Sequence, residues 1–298
     1  MILLKSDRLE VGIREPMEKP NDGFRFDRAG YISDVVLDGE RYFCASEPRN
    51  LIHPSSGGRG LCSEYRFDVS EEAEVGEYFP KFGIGLIRKE DSQKYCFYRK
   101  YQELRPFVCH YECEKDSVTF LTEPTICLGY GMRTKKKISV RGNQIRMEIE
   151  AENCGEKIIH MQEFCHNFIS IDGMAVGSDY ELEIPSAPDL GYARIPNRRG
   201  FSGNFRGNGK GVTFCEFTPI DTDLSIDTEK LEKALPFQWK MRHKGAGAYV
   251  QEEDSFLPGQ INIWGVDHIL SPEIVHVFDL EPGETEKWTR TWTFDTCD

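Results

Sequence analysis

The segment Met161-Gln162-Glu163-Phe164-Cys165-His166-Asn167-Phe168-Ile169-Ser170-Ile171-Asp172-Gly173 decides how the rest of the chain is interpreted. It has the composition of a β-strand, with aromatic and β-branched residues and a closing glycine. Alternation places Phe164, His166 and Phe168 on one face, and the opposite face is also largely apolar. A strand that is apolar on both faces is typical of the interior of a two-layer protein. His166 and Asn167 must therefore find hydrogen-bond partners there or line a cavity.

Length, composition and charge define the class of protein. The chain has 298 residues, of which 39% are hydrophobic and 12% aromatic, so a large core can form. Its 50 acidic and 37 basic residues give a net charge of −13, which argues against nucleic acid as a partner. The sequence shows no signal peptide and no apolar run of membrane-spanning length. We expect a soluble, cytoplasmic protein with no membrane partner.

The ten cysteines are scattered singly along the chain, several of them within apolar strand patterns. In a reducing compartment such residues are thiols and serve as small core residues. The cluster Cys109-His110-Tyr111-Glu112-Cys113 lacks the second pair of ligands that a structural zinc site requires. We therefore expect reduced cysteines and no bound metal.

The clearest strand pattern lies just before the opening segment. Apolar residues alternate with charged ones from Ile145 to Ala151, which predicts a strand with one core face and one solvent face. The turn Arg141-Gly142-Asn143 joins this strand to its predecessor. The turn Asn153-Cys154-Gly155-Glu156 then leads into the His166 strand. These features predict a three-stranded meander.

Strands also dominate the C-terminal part of the chain. From Trp288 to Phe294, aromatic residues and one arginine alternate with threonines. One short helix is expected at Thr228–Leu235, with Asp227 as its N-cap and Pro236 as its stop. Because no segments are left to form the crossover helices of a parallel sheet, the pattern predicts an all-β fold of antiparallel sheets.

Three short motifs, in order along the chain, carry a resemblance. They are Lys81-Phe82-Gly83-Ile84-Gly85, the strand Phe164-Cys165-His166-Asn167-Phe168, and Ser271-Pro272-Glu273 followed by Leu280-Glu281-Pro282-Gly283-Glu284. They resemble, respectively, a Gly-x-Gly element, an Asn-His-x-x-Phe strand, and an acidic site strand with its Leu-x-Pro-Gly-Glu turn. These elements are typical of the galactose mutarotase-like (aldose 1-epimerase) superfamily. The resemblance implies one β-supersandwich domain over residues 1–298.

The resemblance also implies a reaction. Interconverting sugar anomers requires a base that takes the proton of the anomeric hydroxyl and an acid that protonates the ring oxygen. By resemblance, Glu273 would be the base and His166 the acid. The His-Gly-Gly segment of the family, which would supply a second histidine, is not recognisable here. Its nearest counterpart is Gly57-Gly58-Arg59-Gly60.

Further positions are candidates for contact with a small sugar substrate. They are Asn167, Arg59, Glu64, Trp239 and His243. No cofactor and no metal are implied, and the oligomeric state is left open.

Two alternative functions stay open. A non-catalytic carbohydrate-binding protein would keep the sugar groove without a complete catalytic set, as the missing His-Gly-Gly segment suggests. A polysaccharide lyase on a related sandwich would need basic residues to neutralise a uronate. Candidates for that role are Arg198, Arg199, Arg206 and Arg242.

Overall fold

Strands make up most of the computed structural model, which describes residues 1–18, 23–49, 54–187, 205–208, 210–214 and 222–297. In chain order the strands are β1 Ile2–Lys5, β2 Leu9–Ile13, β3 Ile32–Leu37, β4 Arg41–Tyr42, β5 Gly60–Arg66, β6 Tyr78–Lys81, β7 Gly85–Arg88, β8 Leu104–Pro106, β9 Cys109–Cys113, β10 Ser117–Thr122, β11 Met132–Arg141, β12 Gln144–Asn153, β13 Ile159–Phe168, β14 Tyr180–Glu183, β15 Phe205–Asn208, β16 Gly211–Phe214, β17 Thr222–Ile226, β18 Phe237–His243, β19 Ala248–Asp254, β20 Gln260–Val266, β21 Ile269–Leu280 and β22 Thr285–Thr296. Single 3₁₀ turns lie at Ser70–Glu72, Ile171–Gly173 and Thr228–Lys230.

Within the described ranges, these strands form two large antiparallel sheets and one small sheet. The first sheet has the order β1-β2-β3-β5-β13-β21-β20-β17, with β4 paired to β3. The second has the order β15-β16-β14-β18-β19-β22-β12-β11-β10-β9, and the small sheet has the order β6-β7-β8. The expected all-β fold of antiparallel sheets is therefore confirmed. Residues 161–168 of the opening segment lie in β13, a central strand of the first sheet, and the segment ends in the 3₁₀ turn Ile171–Gly173.

The alternation in the sequence explains which faces are buried. In β12, every second residue from Ile145 to Ala151 is buried, and the residues between them are exposed or half-buried. In β22, the residues from Trp288 to Phe294 follow the same rule. The inward faces of the two large sheets share one apolar core, and burying this surface is the main stabilising term of the fold.

The expected meander is wrong in its third strand. β11 and β12 pair as predicted around the Arg141–Asn143 turn, but β12 has β22 as its other neighbour. After β12 the chain changes sheets. Asn153 holds the connection in place, since its Nδ2 donates to the carbonyls of Lys157, 2.9 Å, and Leu280, 2.8 Å. β13 then pairs with β5 and β21 in the first sheet.

The expected helix at Thr228–Leu235 is also shorter than predicted. Asp227 caps it as expected, since its side chain accepts a hydrogen bond from Glu229 N at 3.1 Å. The turn ends at Lys230, because the backbone N–H of Glu232 donates to Ser186 O at 2.8 Å and draws the chain out of the helical path. Among the described residues, no helix is both long and apolar enough to cross a membrane.

Candidate functional site

The side chains of His166 and Glu273 meet at the centre of the first sheet. Their strands, β13 and β21, are neighbours, and regular antiparallel pairing joins Ile159–Glu163 to His276–Leu280. The same register, continued along both strands, places Glu273 opposite His166. The His166 Nε2 atom lies 3.1 Å from Glu273 Oε1, and the two side chains are only 2% and 6% exposed. We call these two residues the central pair.

The imidazole of His166 is held on several sides. Its Nδ1 atom lies 2.8 Å from Ser271 Oγ, which fixes the ring orientation. Its ring stacks on Phe168 at a centroid distance of 3.9 Å. Phe26, at 5.8 Å, and Trp264, at 5.2 Å, meet the same ring edge to face. The aromatic contacts leave Nε2 directed at Glu273.

The electrostatic environment acts on both members of the central pair. Burial, followed by the nearby charges of Arg25 and Arg66, holds the pKa of His166 well below its ordinary value. Burial also raises the pKa of Glu273, and the charges of Arg66 and Arg25 only partly offset this effect. A raised pKa makes the carboxylate a stronger base, and a lowered pKa makes the imidazolium a stronger acid.

Two polar side chains hold the second carboxylate oxygen of Glu273. Asn262 Nδ2 donates to Oε2 at 3.3 Å, and Arg66 Nη2 lies 3.4 Å from the same atom. Asn262 is in turn fixed by Ser225, whose hydroxyl donates to Asn262 Oδ1 at 3.1 Å. Arg66 lies over the Phe164 ring at 4.1 Å and is about a third exposed. The Glu273 carboxylate is therefore oriented from the side opposite His166.

Glu64, one of the residues expected to contact a sugar, lies on the same face of the sheet as His166, on the neighbouring strand β5. Arg25 Nε donates to Glu64 Oε2 at 2.6 Å, and Lys81 Nζ lies 3.8 Å from Glu64 Oε1. Burial acts to raise the pKa of Glu64, but the charges of Arg25 and Lys81 outweigh it and lower the pKa. Glu64 is therefore a buried, ionised carboxylate at the edge of the site.

Several residues of this site were not predicted from the sequence. Arg66 follows Glu64 by two residues in β5, and Asn262 and Trp264 are two apart in β20, so each pair shares a face. Polar residues at alternate positions of apolar strands were the available signal. Arg25 lies outside the strands, and no pattern in the sequence identifies it.

Asn167 and Trp239 do not face this site, which corrects their expected role as sugar contacts. Alternation directs Asn167 to the opposite side of β13 from His166. Its Nδ2 donates to Glu252 Oε2 at 3.0 Å, and Trp239 Nε1 donates to the same oxygen at 2.8 Å. Asn167 and Trp239 are both fully buried between the large sheets, where a substrate has no access.

Arg59 and His243 have other partners. Arg59, just before β5, forms an ion pair with Asp34 and is about a third exposed. His243, at the end of β18 in the second sheet, accepts a hydrogen bond from Ala246 N through Nδ1 at 2.9 Å. Of the residues expected at the site, the structure thus groups His166, Glu273 and Glu64 on one face.

The groups at this face suit acid–base chemistry. They comprise one imidazole, two carboxylates, three cationic side chains and an aromatic wall. In the part of the chain that the structure describes, no three or more His, Cys, Asp or Glu side chains are arranged to hold a metal ion. The chemistry that this arrangement supports directly is proton transfer between neighbouring atoms.

Comparison with known proteins supports the architecture. No protein-family model and no curated protein matches the chain. A galactose mutarotase related enzyme from Lactobacillus acidophilus superposes with a TM-score of 0.61 at 12% identity, covering 100% of this chain and 98% of that one. A galactose mutarotase-like protein from Lactobacillus casei ATCC 334 gives 0.58 at 12% identity, covering 99% and 100%. An aldose epimerase homologue from C. elegans gives 0.55 at 13% identity, covering 100% and 99%. The chain therefore has the galactose mutarotase-like fold.

Proposed function

We propose that the protein is an aldose 1-epimerase-like isomerase that interconverts the anomers of a hexose or hexose derivative. The observation that carries the proposal is the 3.1 Å contact between His166 Nε2 and Glu273 Oε1 on a nearly buried face. The proposed reaction moves protons between the sugar and side chains, so it needs no cofactor.

The geometry of the central pair fits the chemistry of an anomeric centre. The hydroxyl that loses a proton and the ring oxygen that gains one are bonded to the same carbon. The base and the acid that serve them must therefore lie close together. A carboxylate and an imidazole in hydrogen-bonding contact meet this requirement.

We assign Glu273 as the base and His166 as the acid. Glu273 takes the proton of the anomeric hydroxyl while His166 protonates the ring oxygen, and the ring opens to the free aldehyde. Rotation about the adjacent carbon–carbon bond presents the other face of the carbonyl. Closure reverses the proton transfers and yields the other anomer.

Neighbouring groups are suited to hold the sugar over the central pair. Trp264 is half-buried beside His166, and an indole offers a large flat face for stacking against the apolar face of a sugar ring. Arg66 is partly exposed next to Glu273, and its guanidinium has donors suited to sugar hydroxyls. We propose both as substrate-binding residues in place of Asn167 and Trp239.

The lyase alternative is less well supported. Arg198 and Arg199 lie outside the described residues, as does the side chain of Arg206. Arg242 is exposed on the second sheet, where its Nε donates to Glu181 Oε2 at 2.6 Å. Of the basic residues near the central pair, Arg25 is already paired with Glu64 and Arg66 lies 3.4 Å from Glu273. A uronate would have to compete with these two carboxylates.

A panel of aldoses followed by polarimetry tests the proposed function. We expect the protein to accelerate mutarotation of at least one hexose or hexose derivative above the spontaneous rate. Thermal protection by a sugar that is not turned over would favour a non-catalytic binding protein. Growth of unsaturated-uronate absorbance with an acidic polysaccharide would favour the lyase.

A further inference from the structure

The strands that carry the central pair lack a continuous backbone ladder where the two side chains meet. Beyond their regular pairing, β13 and β21 are joined again only at a bridge between Ile169 and Leu270, within the described part of both strands. Glu273 lies in this gap. Pro272, next to it, has no N–H to donate. On the side of β21 that faces β13, the backbone around Glu273 is therefore held by side chains.

Asn167 supplies one of these side chains from the interior face of β13. Its Nδ2 donates to Pro272 O at 2.7 Å and to Glu252 Oε2 at 3.0 Å. Trp292 Nε1 donates to Asn167 Oδ1 at 3.1 Å. Because an indole N–H only donates, the amide oxygen must face Trp292, which turns the amide nitrogen towards Pro272.

Arg290, on β22 of the second sheet, is the second side chain that holds this backbone. Its Nη2 donates to Ile274 O at 3.0 Å. The same guanidinium is fixed by three buried carboxylates, at 2.7 Å from Glu163, 3.2 Å from Glu252 and 2.9 Å from Asp254. Each of these four ionisable side chains is fully buried, so this network is closed to water and geometrically constrained.

We propose that Asn167 and Arg290 are positioning residues that hold the backbone on both sides of Glu273, and thereby hold its carboxylate against His166. The two carbonyls that they bind belong to the residues flanking Glu273. The donors come from different sheets, so the second sheet supports the site from behind. This inference rests on the proposed function. A misplacement of about 1 Å can cost about 10²-fold in rate.

The chain offers a matched control for Asn167. Asn153 is also fully buried and donates from Nδ2 to a carbonyl of β21, Leu280 O, at 2.8 Å, but seven residues from Glu273. Asn167→Ala should lower kcat by about 10- to 100-fold and change KM by less than about threefold. The acid limb of its pH–rate profile should move to higher pH. A Glu273 carboxylate that moves away from His166 loses the hydrogen bond between them, and its pKa rises. Asn153→Ala should lower Tm but retain kcat and the pH profile.

A second variant covers the case in which Asn167→Ala does not fold. Trp292→Phe keeps an aromatic side chain but removes the donor that orients the amide. It should lower kcat and shift the acid limb of the pH–rate profile to higher pH, and both effects should be smaller than in Asn167→Ala. Wild-type kcat and pH profile in the folded variants would overturn the positioning role.

NMR separates this inference from the proposed function, because it needs no turnover. The His166 ring signal, assigned by its loss in His166→Asn, should respond in the wild type when Glu273 ionises, since the two side chains are in contact. Asn167→Ala should abolish this response, whereas Asn153→Ala should keep it. If both variants behave in this way but the protein converts no sugar, the proposed function is refuted and the positioning role stands. An unchanged response in Asn167→Ala would refute the positioning role.

Discussion

His166 and Glu273 illustrate how burial alone can prepare a pair of residues for opposite tasks. Removing water disfavours the charged form of each, which lowers the pKa of the imidazole and raises that of the carboxylate. The imidazolium becomes a better proton donor and the carboxylate a better proton acceptor. The cost is that the productive ionisation state, with both groups charged, is populated over a narrower range of pH.

The two opposite pKa shifts predict the shape of the pH–rate profile. The value of kcat/KM should rise with pH as Glu273 loses its proton and fall as His166 loses its own. Because the Glu273 pKa is raised, the acid limb should lie above the usual range of a glutamate. Because the His166 pKa is lowered, the alkaline limb should lie below about pH 6.5.

The control for this profile is a second histidine. His166→Asn should lose the alkaline limb. His276→Asn should keep it, although His276 Nε2 also lies 2.9 Å from a glutamate oxygen, that of Glu286. An alkaline limb that persists unchanged in His166→Asn would show that another group donates the proton.

At this scale, the sequence could predict only part of the site. The two members of the central pair followed from a family resemblance and from the anomaly of a polar residue on an apolar strand face. Trp239 and His243 were placed by position in the chain alone, and their packing in the second sheet differs from that expectation. Arg25 reaches Glu64 from outside any strand, and such a long-range contact has no local signature.

Among the elements, β13 shows what alternation can and cannot determine. Its apolar composition on both faces correctly predicted burial on both sides from Glu163 to Phe168, whereas His160 and Gln162 are exposed. The alternation of β12 and β22 likewise predicted their buried faces. Which sheet a strand joins depends on distant partners, and the short turn after β12 was equally compatible with a meander. The sheet change therefore could not be read from the local pattern.

The loop before β5 makes a close contact that a single methyl group should disturb. A Cβ added at Gly58 would lie 2.2 Å from Phe168 Cζ, and the Phe168 ring supports His166 at 3.9 Å. Gly58→Ala should therefore destabilise the protein by about 1–3 kcal/mol and lower the rate, because Phe168 must move. Denaturant unfolding and the anomer-exchange rate measure the two effects.

Gly177→Ala is the matched control for this change. A Cβ at Gly177 meets no atom within 4 Å, so stability and rate should stay near wild-type values. Equal behaviour of the two variants would mean that Phe168 adapts freely and does not hold His166.

For the whole molecule, the buried charges between the sheets matter most. Arg290 is surrounded by three carboxylates that exceed its single positive charge. Burial, together with the charge of Glu252, raises the pKa of Asp254 well above its ordinary value, and Arg290 only partly offsets this. Burying such a network removes its charges from water, and this desolvation penalty limits its contribution to stability.

Asp254→Asn should reveal this limit. Below about pH 4, Asp254 is protonated in both the folded and the unfolded chain, so its ionisation does not change the free energy of unfolding. At higher pH the unfolded chain ionises first, and the wild type loses stability as pH rises towards the folded-state pKa. The free energy of unfolding of the variant, relative to that of the wild type, should therefore rise by about 1.4 kcal/mol per pH unit in that range.

Unfolding in denaturant at several pH values measures this slope. Asp116→Asn, at an exposed position between β9 and β10, serves as the control. A pH-independent difference for Asp254→Asn would mean that Asp254 is ionised in the folded protein.

The rate of anomer exchange in Glu273→Gln, measured by NMR magnetisation transfer on a sugar that the wild type converts, decides whether Glu273 is the base. Glu286→Gln is the matched control, because Glu286 also contacts a histidine but lies outside the central pair. We expect a loss of about 10²–10⁴-fold for Glu273→Gln and a nearly wild-type rate for Glu286→Gln. A folded Glu273→Gln protein that retains the wild-type rate would contradict the assignment of Glu273 as the base.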